Sequence, residues 1–142
     1  MNKTDGKKRI LIVEDDAAVR EMFTVLLTRE GYEVTTASYA LPALFRVMQQ
    51  PPDLILADLQ MPMMNGLEMI GQFKAHADTQ NIPIVVVTGN ASEESRAAAI
   101  KAGCAGFLAK PIEPAEFLAQ IQKFLHATAS KKATRTSPPS KP

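Results

Sequence analysis

Four hydrophobic segments of the chain each run into a residue able to bind or transfer charge. Glu14 and Asp15 follow Ile10 to Val13, Asp58 follows Leu54 to Ala57, Thr88 follows Ile84 to Val87, and Lys110 follows Phe107 to Ala109. If those segments are parallel strands of one sheet, their ends meet at one edge. Three carboxylates, a hydroxyl and an ammonium gathered there suit a divalent cation and a phosphoryl group. Singly, each has a plainer role: Asp16 caps a helix, Thr88 ends a strand, Lys110 is a solvated lysine. The combination argues otherwise, because carboxylates about 4 Å apart repel by about 4 kcal/mol at an effective dielectric of about 20, with no structural return.

A magnesium ion would remove that penalty, since it takes oxygen ligands and keeps several waters. Asp15 and Asp58 are expected as direct ligands, Glu14 as a ligand through water, and the backbone carbonyl of Gln60 as a further one. Asp58 can act as a nucleophile toward phosphorus and form an aspartyl phosphate. Magnesium and the Lys110 ammonium would then flank the transferring oxygens, with Thr88 donating a hydrogen bond to one of them. Gly89 leaves room beside that hydroxyl, although a plain turn glycine is an equally economical reading.

The elements that must position these groups are legible as alternating patterns. Ile10 to Val13 is a short apolar run, followed by Val19, Met22, Phe23, Leu26 and Leu27 at helical spacing, with Asp16 placed to cap. Tyr32 to Ala37 reads as a second strand. Leu41, Leu44, Phe45 and Met48 mark the apolar face of a second helix that Pro42 opens at its first turn. Leu54 to Ala57 is the third strand, and Leu67, Ile70 and Phe73 mark the third helix. Gly71 inside that helix weakens it, by about 1 kcal/mol relative to alanine. Ile82 to Thr88 is the fourth strand, and Ser92 to Gly103 bounds the fourth helix. Phe107 to Ala109 is the fifth strand, and Phe117, Leu118, Ile121 and Leu125 share one face of the last helix. Five strands alternating with five helices predict a doubly wound α/β fold, a five-stranded parallel sheet covered on both faces.

The chain of 142 residues has room for one domain, and its 46% hydrophobic content is ordinary for a globular protein. Residues 8–126 are expected to form it. Residues 1–7 read as a flexible N-terminus and 127–142 as a disordered basic Ser/Pro/Lys tail. No apolar run approaches the ~20 residues of a membrane span, and no signal peptide is visible, so the expected location is the cytoplasm. Cys104 is the single cysteine, which rules out an internal disulfide and a thiolate metal cluster. Residues 10–126 hold fourteen acids against eight Lys and Arg, and that acidic body argues against a nucleic-acid-binding face. His76 and His126 are isolated, and Met61, Met63 and Met64 read as packing in the loop after Asp58.

Ile-Leu-Ile-Val-Glu-Asp-Asp at 10–16, Arg20, Pro-Asp-Leu-Ile-Leu-Ala-Asp at 52–58, Met61-Pro62 with Asn65-Gly66, Ile-Pro-Ile-Val-Val-Val-Thr at 82–88 and Gly-Phe-Leu-Ala-Lys-Pro at 106–111 together resemble the receiver domain of two-component response regulators. The resemblance spans about Lys8 to His126. It implies the flavodoxin-like strand order 2-1-3-4-5. It implies that Asp58 is phosphorylated from a phosphohistidine on a sensor histidine kinase or histidine phosphotransfer protein, that Glu14 and Asp15 bind Mg2+, and that Thr88 and Lys110 contact the phosphoryl group. A cis Lys110-Pro111 bond is implied as well. So is a switch in which the Thr88 hydroxyl moves toward the phosphate, Phe107 turns inward, and the face of helix 4, strand 5 and helix 5 is remodelled for a downstream target protein. Gln60 and Asn90 fall where the family tunes phosphate lifetime. Ile112, Gly89 and Phe107 depart from the commonest residues there, and Phe107 lacks the hydroxyl of the usual tyrosine. Ordinary core packing is a competing role for Phe107.

The expected protein is thus a stand-alone receiver, not an enzyme with turnover, monomeric or weakly dimeric once phosphorylated. It would signal by phosphorylation-dependent binding or by relay. A receiver-like scaffold that is never phosphorylated and an N-terminal fragment of a longer regulator are the alternatives. A nucleotide- or flavin-binding protein is disfavoured, because Glu-Asp-Asp after the first strand repels phosphate where such proteins present a Gly- or Ser/Thr-rich loop.

Overall fold

The apolar runs become strands and the segments between them helices, in strict alternation: β1 (Arg9–Val13), α1 (Ala17–Arg29), β2 (Glu33–Ala37), α2 (Ala40–Gln49), β3 (Leu54–Ala57), α3 (Gly66–Ala75), β4 (Ile84–Thr88), α4 (Glu93–Ala102), β5 (Gly106–Ala109) and α5 (Pro114–Thr136). This computed structural model describes residues 6–61 and 65–136, with side chains as far as His126. All strand pairs are parallel, in the order β2-β1-β3-β4-β5. Val13 is level with Ala57, and Thr88 with Ala109, so the residues that follow these strands emerge along one edge.

Burial explains the strand sequences. β1, β3 and β4 are buried at every position, which is why they read as unbroken apolar runs, whereas the edge strands β2 and β5 are largely half-exposed. Alternate side chains feed two cores. Leu11, Val13, Ile55, Ala57 and Val86 pack with α2, α3 and α4. Ile10, Ile12, Leu56, Val85 and Val87 pack with α1 and α5, where Phe23 and Phe117 stack at 4.9 Å.

The helix signals are borne out at most ends. Asp16 accepts from the amides of Ala18 and Val19, Ser92 accepts from Ser95, and Gly103 closes α4 in the left-handed region at φ 117°. Pro42 lies in the first turn of α2, where its missing N–H has no intrahelical acceptor to lose.

Two expectations need correction. The buried side of α2 is formed by Ala40, Ala43 and Val47, with Leu44 partly buried, while Leu41, Phe45 and Met48 are 57%, 66% and 59% exposed. The apolar residues cover more than half of the helix circumference, with Pro42, Arg46 and Gln49 together on the remainder, so the pattern marked a broad apolar side without telling which part of it packs, and the small residues allow the close approach to the sheet. The last helix also continues to Thr136 instead of ending at residue 126. The stretch 127–136 contains Ala and Lys and neither Gly nor Pro, a composition compatible with helix until Pro138. Pro62, Met63, Met64, the first five residues and residues 137–142 lie outside the described residues. Among the described residues, no helix is long and apolar enough to cross a membrane.

Gly71 is exposed on α3, and a Cβ there would meet nothing within 4 Å. Gly71→Ala is therefore expected to stabilise the protein by about 0.5–1 kcal/mol, through reduced backbone entropy in the unfolded chain. Urea denaturation should show a higher midpoint with an unchanged slope. A lower midpoint would mean that this face of α3 is occupied in solution.

Candidate functional site

β1 and β3 deliver their carboxylates side by side because the backbone continues the sheet ladder past the strand ends. The Asp58 amide donates to the Val13 carbonyl at 3.2 Å, and the Glu14 amide donates to the Ala37 carbonyl at 3.0 Å. Glu14 and Asp58 are buried to 2% and 5% exposure, whereas Asp15 is exposed. One oxygen from each of the three lies within 4.8 Å of the others. All three predicted carboxylates are thus brought together. An oxygen set of this size and charge fits a hard divalent cation.

Lys110 joins them from β5. Its Nζ donates to Asp58 Oδ2 at 2.9 Å and to Glu14 Oε1 at 3.0 Å. This alters the expectation that the cluster goes uncompensated without metal, because the ammonium already supplies an opposing charge. Compensation is incomplete. Burial is the largest influence on Glu14 and pushes its pKa above the ordinary value, although Lys110 and the Asp16 amide pull it down. For Lys110, burial is also the largest single influence and acts to lower the pKa, but the bonds and charges of Asp58 and Glu14 together raise it.

The remaining contacts fix the loops. Asp58 Oδ1 accepts from the Gln60 amide at 3.0 Å, which holds the main chain of Gln60 against the site. Glu14 Oε2 accepts from the Asp16 amide at 3.2 Å. Thr88 is fully buried, and its Oγ1 accepts from the Asn90 amide at 3.2 Å. The Lys110 amide donates to the Thr88 carbonyl at 2.9 Å, and the Lys110-Pro111 bond is cis. Phe107 is half-buried and packs on the core shared by α2, α3 and α4. Asn65 and Glu68 form a reciprocal capping box that starts α3 just after the loop.

One contributor had no role assigned from sequence. Arg20 on α1 donates from a guanidinium nitrogen to the Glu14 main-chain oxygen at 2.7 Å, pinning the turn that carries Glu14 and Asp15. Its place six residues after Glu14, one turn into α1, is the sequence signal.

A five-stranded, doubly wound parallel sheet with acids after β1 and β3, a hydroxyl ending β4 and a lysine after β5 defines a small class of signalling domains. Residues 10–122 match the family model described as the response regulator receiver domain, and the chain belongs to that family. It is 34% identical over 121 residues to the phosphate regulon transcriptional regulatory protein PhoB of Pseudomonas aeruginosa, a match covering 85% of this chain and 53% of that protein. The chain therefore spans about half the length of that relative. Among solved structures, it superposes on a CheY-like receiver domain protein from Methanospirillum hungatei with TM-score 0.83 and 33% identity, covering 89% of this chain and 99% of the other. The receiver domain of the sensor histidine kinase PA1611 from Pseudomonas aeruginosa, with a magnesium ion coordinated in its active site cleft, matches with TM-score 0.79 and 28% identity over 85% of this chain and 99% of that one.

Proposed function

We propose that this chain is a response regulator receiver that accepts a phosphoryl group on Asp58, with Mg2+, from the phosphohistidine of a sensor histidine kinase or histidine phosphotransfer protein. The observation that carries the reading is the Asp58 carboxylate itself: buried, held by Lys110 at 2.9 Å, and grouped with two further acids at the sheet edge. A carboxylate oxygen of Asp58 forms the new bond to phosphorus while the phosphorus–nitrogen bond of the donor breaks, and the imidazole leaves with its electron pair. Asp15, Asp58, Glu14 and the Gln60 carbonyl would hold the metal. When bound, it would neutralise charge on the transferring oxygens. Lys110 supplies a fixed positive charge beside the acceptor and Thr88 a hydroxyl that reaches the product.

The reading extends to output. A phosphoryl group that draws the Thr88 hydroxyl would bias Phe107 and the face of α4, β5 and α5 toward binding a downstream target protein. The location consistent with such partners is the cytoplasm. Phosphoryl gain and hydrolysis would be limited to the chain's own aspartate, which is chemistry without substrate turnover. The half-length match to PhoB supports a second arrangement, in which the same receiver is the first part of a longer regulator.

Incubation with acetyl phosphate followed by intact-mass measurement tests the site. One added phosphoryl group is expected with magnesium, and none in chelator or in Asp58→Asn. No uptake by the folded wild-type chain, beside a receiver that labels, would favour an unphosphorylated scaffold.

A further inference from the structure

Phe107 is level with Val86 on β4, and two residues on, Ala109 is level with Thr88. Strand alternation places the side chains of Val86, Thr88, Phe107 and Ala109 on one face of the sheet, so the ring and the Thr88 hydroxyl are diagonal neighbours. The ring is only half-buried. The guanidinium carbon of Arg96, in the first turns of α4, stands 5.6 Å from its centroid, within range of cation–π attraction. Arg96 is otherwise exposed, and among the described residues it makes no ion pair. Its guanidinium thus stands over the ring, with the Cys104 thiol also within its electrostatic reach.

The Thr88 hydroxyl oxygen accepts from the Asn90 amide at 3.2 Å. At the same sheet edge, Lys110 Nζ donates to Asp58 Oδ2 at 2.9 Å. A group on Asp58 that draws the hydroxyl across would open space on the face where the ring packs. A ring that moves into that space must leave Arg96.

We propose that Arg96 is a latch: a positioning residue that holds Phe107 in its unphosphorylated place, so that the strength of this one contact between α4 and β5 sets how readily the chain responds to a phosphoryl group on Asp58. The proposal rests on the site reading above and adds to it a residue outside the site. It also gives the phenylalanine a holding interaction that does not need the hydroxyl a tyrosine would carry. A contact of this kind at an exposed position is worth about a two- to five-fold bias in a two-state equilibrium.

Beryllofluoride, a tetrahedral mimic of the phosphoryl group, tests the latch by calorimetric titration with magnesium present. Arg96→Gln is expected to bind it about two- to five-fold more tightly than wild type, while Arg96→Lys, which keeps a cation over the ring, stays close to wild type. In a Phe107→Leu background, Arg96→Gln should change nothing. Unchanged or weaker binding by Arg96→Gln, or an equal gain without the Phe107 ring, overturns the latch and leaves the site reading standing. Wild-type protein that binds no beryllofluoride overturns the site reading and the latch with it.

Discussion

Gly66→Ala is expected to slow phosphoryl uptake by Asp58 about 100-fold and to destabilise the protein by about 1–3 kcal/mol. The cause is backbone against backbone. A Cβ on Gly66 would lie 2.5 Å from the Asp58 carbonyl oxygen and 2.7 Å from the Leu59 Cα, and no flexible side chain is there to give way. The Gly66 amide also donates to the Leu59 carbonyl at 2.9 Å, so the start of α3 is tied to the segment it would have to leave. Relief requires moving either α3 or the acceptor aspartate, and a displacement of about 1 Å at a reacting group costs about this factor in rate. Gly71→Ala, five residues along the same helix, serves as the control with the opposite sign. Uptake and urea midpoint measured on both variants decide the matter. If Gly66→Ala retains wild-type rate and stability, the start of α3 is softer than its contacts indicate.

Lys110→Met should lower the melting temperature by about 5–10 °C in chelator at neutral pH, reflecting a loss of about 2–3 kcal/mol. The ammonium is bonded to two buried carboxylates, and its removal leaves both without their counter-charge. The estimate sits below the usual cost of breaking a buried pair because the lysine side chain is 21% exposed and the acids can take up a proton. The sign of the pH response follows. Glu14 already has a raised pKa, so its ionised form costs stability at neutral pH, and that cost is relieved as pH falls through the raised value toward 4.5. Without Lys110 the effect grows, and the deficit of the variant should shrink on mild acidification. The raised pKa of Lys110 contributes stability in wild type that is present below 10.5 and lost as pH rises through the folded value, a loss the variant should lack. Magnesium should also narrow the gap, since the ion no longer competes with an ammonium for the same oxygens. A variant as stable as wild type in chelator at neutral pH would remove Lys110 from the account of charge balance.

What the sequence disclosed, and what it withheld, follows from how far apart the interacting residues lie. β1, β3 and β4 were legible because burial on both faces leaves uninterrupted apolar runs, and Glu14, Asp15, Asp58 and Thr88 because they close those runs. The phase of α2 was not. With alanines inward and Leu41, Phe45 and Met48 outward, residue size pointed away from the buried side. The two hydrogen bonds that Lys110 donates to Glu14 and Asp58 link residues 96 and 52 positions apart, and only the register of separate strands brings them within 3 Å. Arg20 belonged to the resemblance without a role until the strand end beneath it was in place, and nothing in the sequence singled out Arg96 before β5 set Phe107 below it.

The order of strands also distributes resistance to opening. Glu14 and Asp58 follow β1 and β3, each hydrogen-bonded to a neighbour on both sides, whereas Lys110 follows β5, which is bonded on one side and half-exposed. Amide exchange should accordingly be slowest at the carboxylate end of the site and fastest at the lysine end. Small local fluctuations would loosen the grip on Asp58 from the β5 side, while the acceptor itself stays anchored in the part of the sheet that opens only when the whole domain does.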